Sequence, residues 1–249
     1  MKQVAIGIQA RTTSTRLPGK IFKKISSNTV LDHVVAQAAA AMLYLNALSN
    51  KNGITVKLFI LIPDHDLENF QDIELGIGKL RPPYELITGP EEDVLTRYMG
   101  ILNNYEADYI CRITSDCPFI PTPIITKTIT TAAHIQKGPF DFVTNASPQC
   151  RTFFDGADCE VMSRKCLEWL DFNAKSPSDR EHVTQLLYNG KVPQSFKMAH
   201  LFTHLDTSKE KYSIDTEEDL NLARKNYELV KSKMKIWNDL HGPSSVFRF

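Results

Sequence analysis

The sequence has no excess charge of either sign: 29 Lys and Arg stand against 29 Asp and Glu in 249 residues. Without a general field, nothing draws the chain to nucleic acid or to a membrane surface, so electrostatic recognition has to be local. Cysteine is sparse. The five residues, Cys111, Cys117, Cys150, Cys159 and Cys166, are odd in number and form no C-x-x-C pair, which argues against a disulfide framework or a zinc site and for reduced, mostly buried thiols. No low-complexity tract and no fixed-period repeat appears. The longest apolar run, 34–45, is broken by Gln37 and is too short to span a bilayer. The first residues lack an apolar core followed by a small-residue cleavage site. The expectation is a cytoplasmic protein with neither nucleic acid nor membrane as partner.

What is present is an alternation of strand-like and helix-like segments. Residues 3–9 and 56–62 are short β-rich runs, the second apolar but for Lys57, as a strand covered on both faces should be. Between them Val30, Leu31, Val34, Val35, Ala38, Ala41, Met42, Leu45 and Leu48 recur at helical spacing, with Thr29 and Asp32 as a capping box. The pattern predicts a helix over 66–80, a strand over 84–88, a helix over 91–104, a strand over 108–114, a helix over 122–136 and a strand over 140–144. Beyond 155 it loosens. An inserted or antiparallel portion is expected at 158–163 and 195–205, helices at 164–173 and 179–189, and a closing strand and helix from 212. The fold class is therefore α/β, a doubly wound, mostly parallel sheet with a small antiparallel insertion. No linker divides the chain, so a single domain over 1–249 is expected, with a substrate or dimerisation insertion near 147–205.

In such sheets ligands collect beyond the C-terminal ends of the strands, which directs attention to the loops there. The loop after the first strand, QARTTSTRLPGK, places Arg11, Arg16 and Lys20 among four hydroxyl side chains and a Pro-Gly turn. Backbone N–H groups and cations converging in such a loop suit phosphate oxygens. The spacing is neither a Walker P-loop nor G-x-G-x-x-G, and charge alone leaves open a solvated surface loop. Asp116 follows a strand and suits a hard divalent cation, or else caps the next helix. Asp215 precedes a helix whose capping box is Thr216 with Asp219, so it is a metal ligand or complements the helix dipole. Asp158 and Glu160 alternate on one strand face, lining a site or an exposed edge. Ser178 with Glu181 reads as a capping box, which places Arg180 and His182 near a helix start. Arg112, inside a strand, is either an edge-face residue or the partner of a buried carboxylate.

The loop resembles the A-R-x-x-S-T-R-L-P-G-K motif of the cytidylyltransferases that activate keto-acid sugars, and especially that of the spore coat polysaccharide biosynthesis protein F family. Further on, 89-GPEEDVLTRY-98, 112-RITSDCPFI-120, 156-GADCEV-161, 180-REHVT-184 and 215-DTEEDL-220 are similar to that family's segments in the same order. The likeness runs from about 3 to 225, with Phe119 and Ala157 as small departures; the tail 231–249 lies outside it. A nucleotide-diphospho-sugar transferase type of Rossmann-like fold follows from the resemblance. So does transfer of CMP from CTP to an acidic sugar in surface polysaccharide synthesis, with Mg2+ as cofactor and a homodimer as assembly. Residue by residue it implies Arg11, Lys20 and Asp116 as catalytic, with Ala10, Arg11, Ser14, Arg16, Gly19, Lys20, Arg97 and Thr114 around the nucleotide. It assigns Asp116 and Asp215 to the metal, and Asp158, Glu160, Arg180 and His182 to the sugar. Three alternatives stay open: a glycosyltransferase using a nucleotide sugar, a nucleotidyltransferase using another triphosphate, and a non-catalytic binding subunit. The Asp-x-Asp motif usual in glycosyltransferases is replaced here by Ser115-Asp116-Cys117.

Overall fold

The computed structural model describes residues 1–133, 139–189 and 192–240, with side chains described through residue 233. The end of the helix expected over 122–136 and the last part of the tail 231–249 lie outside the described residues. In chain order the strands are β1 (Lys2–Gln9), β2 (Ile54–Pro63), β3 (Glu85–Gly89), β4 (Tyr109–Thr114), β5 (Phe142–Thr144), β6 (Glu160–Ser163) and β7 (Met198–His200). The helices are α1 (Val30–Ala47), α2 (Ser49–Asn52), α3 (Leu67–Phe70), α4 (Val94–Asn104), α5 (Thr122–Ala132), α6 (Arg164–Asn173), α7 (Pro177–His182), α8 (Gln185–Tyr188), α9 (Glu217–Lys225) and α10 (Tyr227–Leu240).

The strands form one sheet in the order β3-β2-β1-β4-β6-β5-β7. β1 pairs in parallel with both β2 and β4, β2 with β3 and β5 with β7; only β6 runs against its neighbours. The strand near 200, expected as part of an antiparallel portion, is thus parallel to β5. Helices cover both faces. One buried cluster joins α1 and α5 to the sheet through residues such as Ile6, Ile8, Val34, Leu45 and Ile125. The other joins α4 and α6 through Phe59, Leu95, Tyr98, Ile110, Met162 and Leu167. β2 is buried along most of its length because it is covered on both sides. Gly7 on β1 is required by close approach: a Cβ there would stand 2.8 Å from the ring of Tyr98, whose hydroxyl donates to the Gly7 carbonyl at 3.1 Å.

The helix α1 begins as its capping box dictates, with Thr29 accepting from the Asp32 N–H and Asp32 from the Thr29 N–H. Over its 18 residues it reaches a length and apolarity that would suffice to cross a membrane. Ten of those residues are buried in the protein interior, as in a core helix. Other expectations fail locally. The helix expected over 66–80 is a single turn, α3, because Gly76 and Gly78 take φ 132° and 61° and Pro82 and Pro83 follow. The helix expected over 179–189 is two short helices broken at Val183. Its N-cap is Ser176, which accepts from the Asp179 N–H, and not Ser178. The segment 212–215 forms no strand. It is held instead by a bond from the Ile214 N–H to the Asp116 carbonyl at 2.8 Å.

Candidate active site

β1, β2 and β4 end side by side, and the chain leaving each bends into the same space. After Gln9 the loop 11–20 is held from beneath by Asp66, fully buried in the turn after β2. Its carboxylate accepts from the Thr12 N–H at 2.8 Å and the Thr12 hydroxyl at 2.5 Å. Leu17 and Ile21 fix the far end in the core. Gly19, with φ 65°, makes the turn that returns its N–H to the Thr12 carbonyl at 2.9 Å. Asp66, on which the sequence reading made no claim, is what shapes the loop after β1. Its signal was the acidic, turn-forming run Pro63-Asp64-His65-Asp66. Replacing Asp66 by Ala strands a buried N–H and is expected to lower stability by about 1–3 kcal/mol and to weaken nucleotide binding. Chemical denaturation and nucleotide titration check both effects.

The loop then delivers Lys20 to two carboxylates. Its ammonium donates to Asp116 Oδ2 at 2.8 Å, to the Ile214 carbonyl at 3.0 Å and to Asp215 Oδ1 at 3.4 Å. Arg16 reaches Asp215 Oδ1 at 2.9 Å. Burial raises the cost of charge on Asp116, but the Lys20 ammonium and the Thr114 hydroxyl outweigh it and hold the carboxyl below its usual range. Asp215 sits just ahead of α9, whose box of Thr216 and Asp219 closes as predicted. Asp219 also accepts from the Asp215 N–H at 2.9 Å.

These groups line one cavity of about 230 Å3, together with Ala10, Arg11, Ser14, Arg97, Arg112 and Thr114, and with Glu181 and His182 from α7. Arg11 lies 3.7 Å from Glu91 and 3.6 Å from Glu181. Five Lys and Arg side chains face three carboxylates across this space, an excess of positive charge that the neutral chain as a whole does not have.

Several predicted residues stand elsewhere or do something else. Gly19 shapes the loop without lining the cavity. Arg97 reaches the cavity wall but is 2% exposed, and its guanidinium donates to the carbonyls of Ala10, Leu61 and Glu91. It ties the ends of β1 and β2 to the loop after β3, which is a framework role where nucleotide contact was expected. Arg180 is outside the cavity. It bonds to Asp93 at 2.5 Å, Asp171 at 2.9 Å and Thr96 at 3.0 Å, joining α7 to α4 and α6. Asp158 precedes β6 and pairs with Arg151. Glu160 is 3% exposed and pairs with Arg112 at 2.6 Å, which settles Arg112 as the partner of a buried carboxylate. Four of the thiols are buried, Cys150 is exposed, and all are free.

A mostly parallel, doubly wound sheet with a cation-rich loop after β1 and paired aspartates after β4 and before α9 is an α/β fold of the class that holds its ligand beyond the strand ends. Within that class the similarity is to cytidylyltransferases. Residues 5–45, from β1 through most of α1, match the family model described as Cytidylyltransferase. Over 235 residues the chain is 29% identical to Uncharacterized protein MJ1063 of Methanocaldococcus jannaschii, covering 92% of this chain and 86% of that one. Over 234 residues it is 25% identical to Spore coat polysaccharide biosynthesis protein SpsF of Bacillus subtilis, covering 93% and 86%. A solved cytidylyltransferase from Leptospira borgpetersenii superposes with a TM-score of 0.75 at 25% identity, covering 100% of both chains. The resemblance carried by the motifs therefore extends to the whole fold.

Proposed function

We propose that the protein transfers CMP from CTP to a hydroxyl group of an acidic sugar, releasing pyrophosphate, in the synthesis of a surface polysaccharide. One observation carries this reading: Lys20 stands between Asp116 and Asp215, with Arg11 and Arg16 in the same cavity. That arrangement matches the needs of a metal-bound triphosphate, and the likeness to cytidylyltransferases supports cytosine as the base.

Asp116 and Asp215 fit a divalent cation, since both accept from one ammonium and so lie close enough to share one charge. Two hard carboxylates completed by phosphate oxygens and water form the usual Mg2+ site. When bound there, Mg2+ would neutralise charge on the triphosphate and polarise the phosphorus under attack. Arg11, Arg16 and Lys20 hold the phosphates, with Lys20 turning from the aspartates to the departing pyrophosphate. Ala10 and Ser14 bound the nucleotide side, and Thr114 steadies Asp116. His182 faces the acceptor. Catalysis is then positioning and charge stabilisation, with no covalent intermediate.

Incubation with each of the four ribonucleoside triphosphates, Mg2+ and a panel of keto-acid sugars tests the reading. Pyrophosphate is expected from CTP alone, and CTP left unbound and unconsumed would defeat the proposal. The protein works in the cytoplasm as one nucleotidyltransferase domain, assembled as a homodimer through 158–190. Phe172 on α6, 75% exposed, lies within that segment and serves as its probe. Light scattering of Phe172→Glu is expected to show monomers; an unchanged dimer would move the contact elsewhere.

A further inference from the structure

The sequence nominated Arg180 for an anionic acceptor, and the structure gives that residue to other partners. A different arginine occupies the place. Arg112 lies in β4 two residues before Thr114, so it shares with Ile110 the face of the sheet that carries α4 and α6. The loop cations and the two aspartates lie beyond the strand ends. Arg112, set back within β4, and His182 line the same cavity.

The bonding of Arg112 is incomplete. A guanidinium offers five N–H donors in a rigid fork. Here Nη1 donates to Glu160 at 2.6 Å, while Nε is buried without a partner. A buried cation left this poorly bonded is costly unless something else completes it. Glu160, by contrast, is saturated. The Thr184 hydroxyl lies 2.9 and 3.0 Å from its two oxygens, and the Tyr188 hydroxyl donates at 2.5 Å. The carboxylate is fixed from α8 and in turn fixes the arginine.

The backbone above this pair is strained. Val183, between α7 and α8, has φ 55° and ψ −63°, and the Thr184 N–H reaches back to the His182 carbonyl at 2.6 Å. This is the rare γ-turn geometry, held here by a β-branched residue that is fully buried. Such strain persists where the surroundings over-determine it, and it gathers at functional sites. The turn lets the residues on either side of Val183 serve different purposes: His182 lines the cavity, and Thr184 faces Glu160.

We propose that Arg112, locked by Glu160, Thr184 and Tyr188, is the specificity residue of the acceptor half of the cavity and takes the acceptor's carboxylate. This rests on the cytidylyl-transfer reading. A planar carboxylate suits the guanidinium donors that Glu160 does not take on the cavity wall, where charge-assisted bonds are stronger than those to a neutral hydroxyl. Glu181, which also lines the cavity, lies 3.6 Å from Arg11.

The test uses calorimetric titration of the full chain with N-acetylneuraminate, 3-deoxy-D-manno-octulosonate and their methyl esters, alongside CTP with Mg2+. At least one acid is expected to bind the wild type about tenfold or more tighter than its ester. Arg112→Gln should weaken the acid by about 10- to 100-fold while leaving CTP affinity unchanged. Arg112→Lys keeps the pair with Glu160 and the fold but lacks the fork. It too should lose acid binding, and it decides the matter if Arg112→Gln does not fold. Acid binding that survives in the variants, an acid that binds no better than its ester, no binding of either acid, or a parallel loss of CTP overturns the role of Arg112. Failure of wild type to bind CTP strikes the cytidylyl-transfer reading instead, and the contrast between acid and ester still judges the arginine.

Discussion

Asp116→Asn is expected to lower turnover by on the order of 1,000-fold with the fold intact. The substitution conserves shape and removes the charge that Lys20 meets at 2.8 Å. In the proposed site Asn would present a neutral oxygen to the divalent cation, which would lose one of its two carboxylate ligands. Stability should change little, because the backbone bond from Ile214 to the Asp116 carbonyl does not involve the side chain. Pyrophosphate release under saturating CTP and acceptor, beside a thermal melt, reads both. Activity within tenfold of wild type removes Asp116 from the mechanism.

The second large effect is on stability. Glu160→Ala leaves Arg112 charged and without its carboxylate, and takes the shared acceptor from Thr184 and Tyr188. Breaking one side of a buried ion pair costs about 3–5 kcal/mol, much of it the penalty of the stranded charge. Urea unfolding is expected to show that loss. The double variant Glu160→Leu with Arg112→Met should recover most of it, since a well-packed apolar pair avoids the desolvation cost. A single variant as stable as wild type would mean that solvent already reaches the pair.

Much of this architecture was legible in particular residues. Thr29 with Asp32 and Thr216 with Asp219 are local signals, and both helix starts stand where those residues place them. The largely apolar run of β2 announced a strand covered on both faces. Leu67, Phe70, Ile73, Ile77 and Leu80 recur as a helix would require over 66–80, yet the helix ends at Phe70, and Gly76 and Gly78 with positive φ turn the chain away from helical geometry. The capping reading at Ser178 was off by two residues, since Ser176 had an equally good acceptor role with Asp179. In the site, Lys20, Asp116 and Asp215 came together because motif and strand-end position pointed the same way. Arg180 and Asp158 did not join them, because side chains bridging separate helices and loops leave no periodic trace. Arg112 and Asp66 show the reverse: the first read as an edge-face residue or the partner of a buried carboxylate, the second drew no reading, and only their partners reveal what each holds in place.

The ion pair between Arg16 and Asp215 joins residues 199 positions apart. A polypeptide emerging from the ribosome therefore displays its phosphate loop long before the second carboxylate has been synthesised. In the proposed mechanism, competence waits for the segment that carries Asp215 to be made and docked. Clipping before Asp215 would leave the loop facing Asp116 alone, without the second carboxylate.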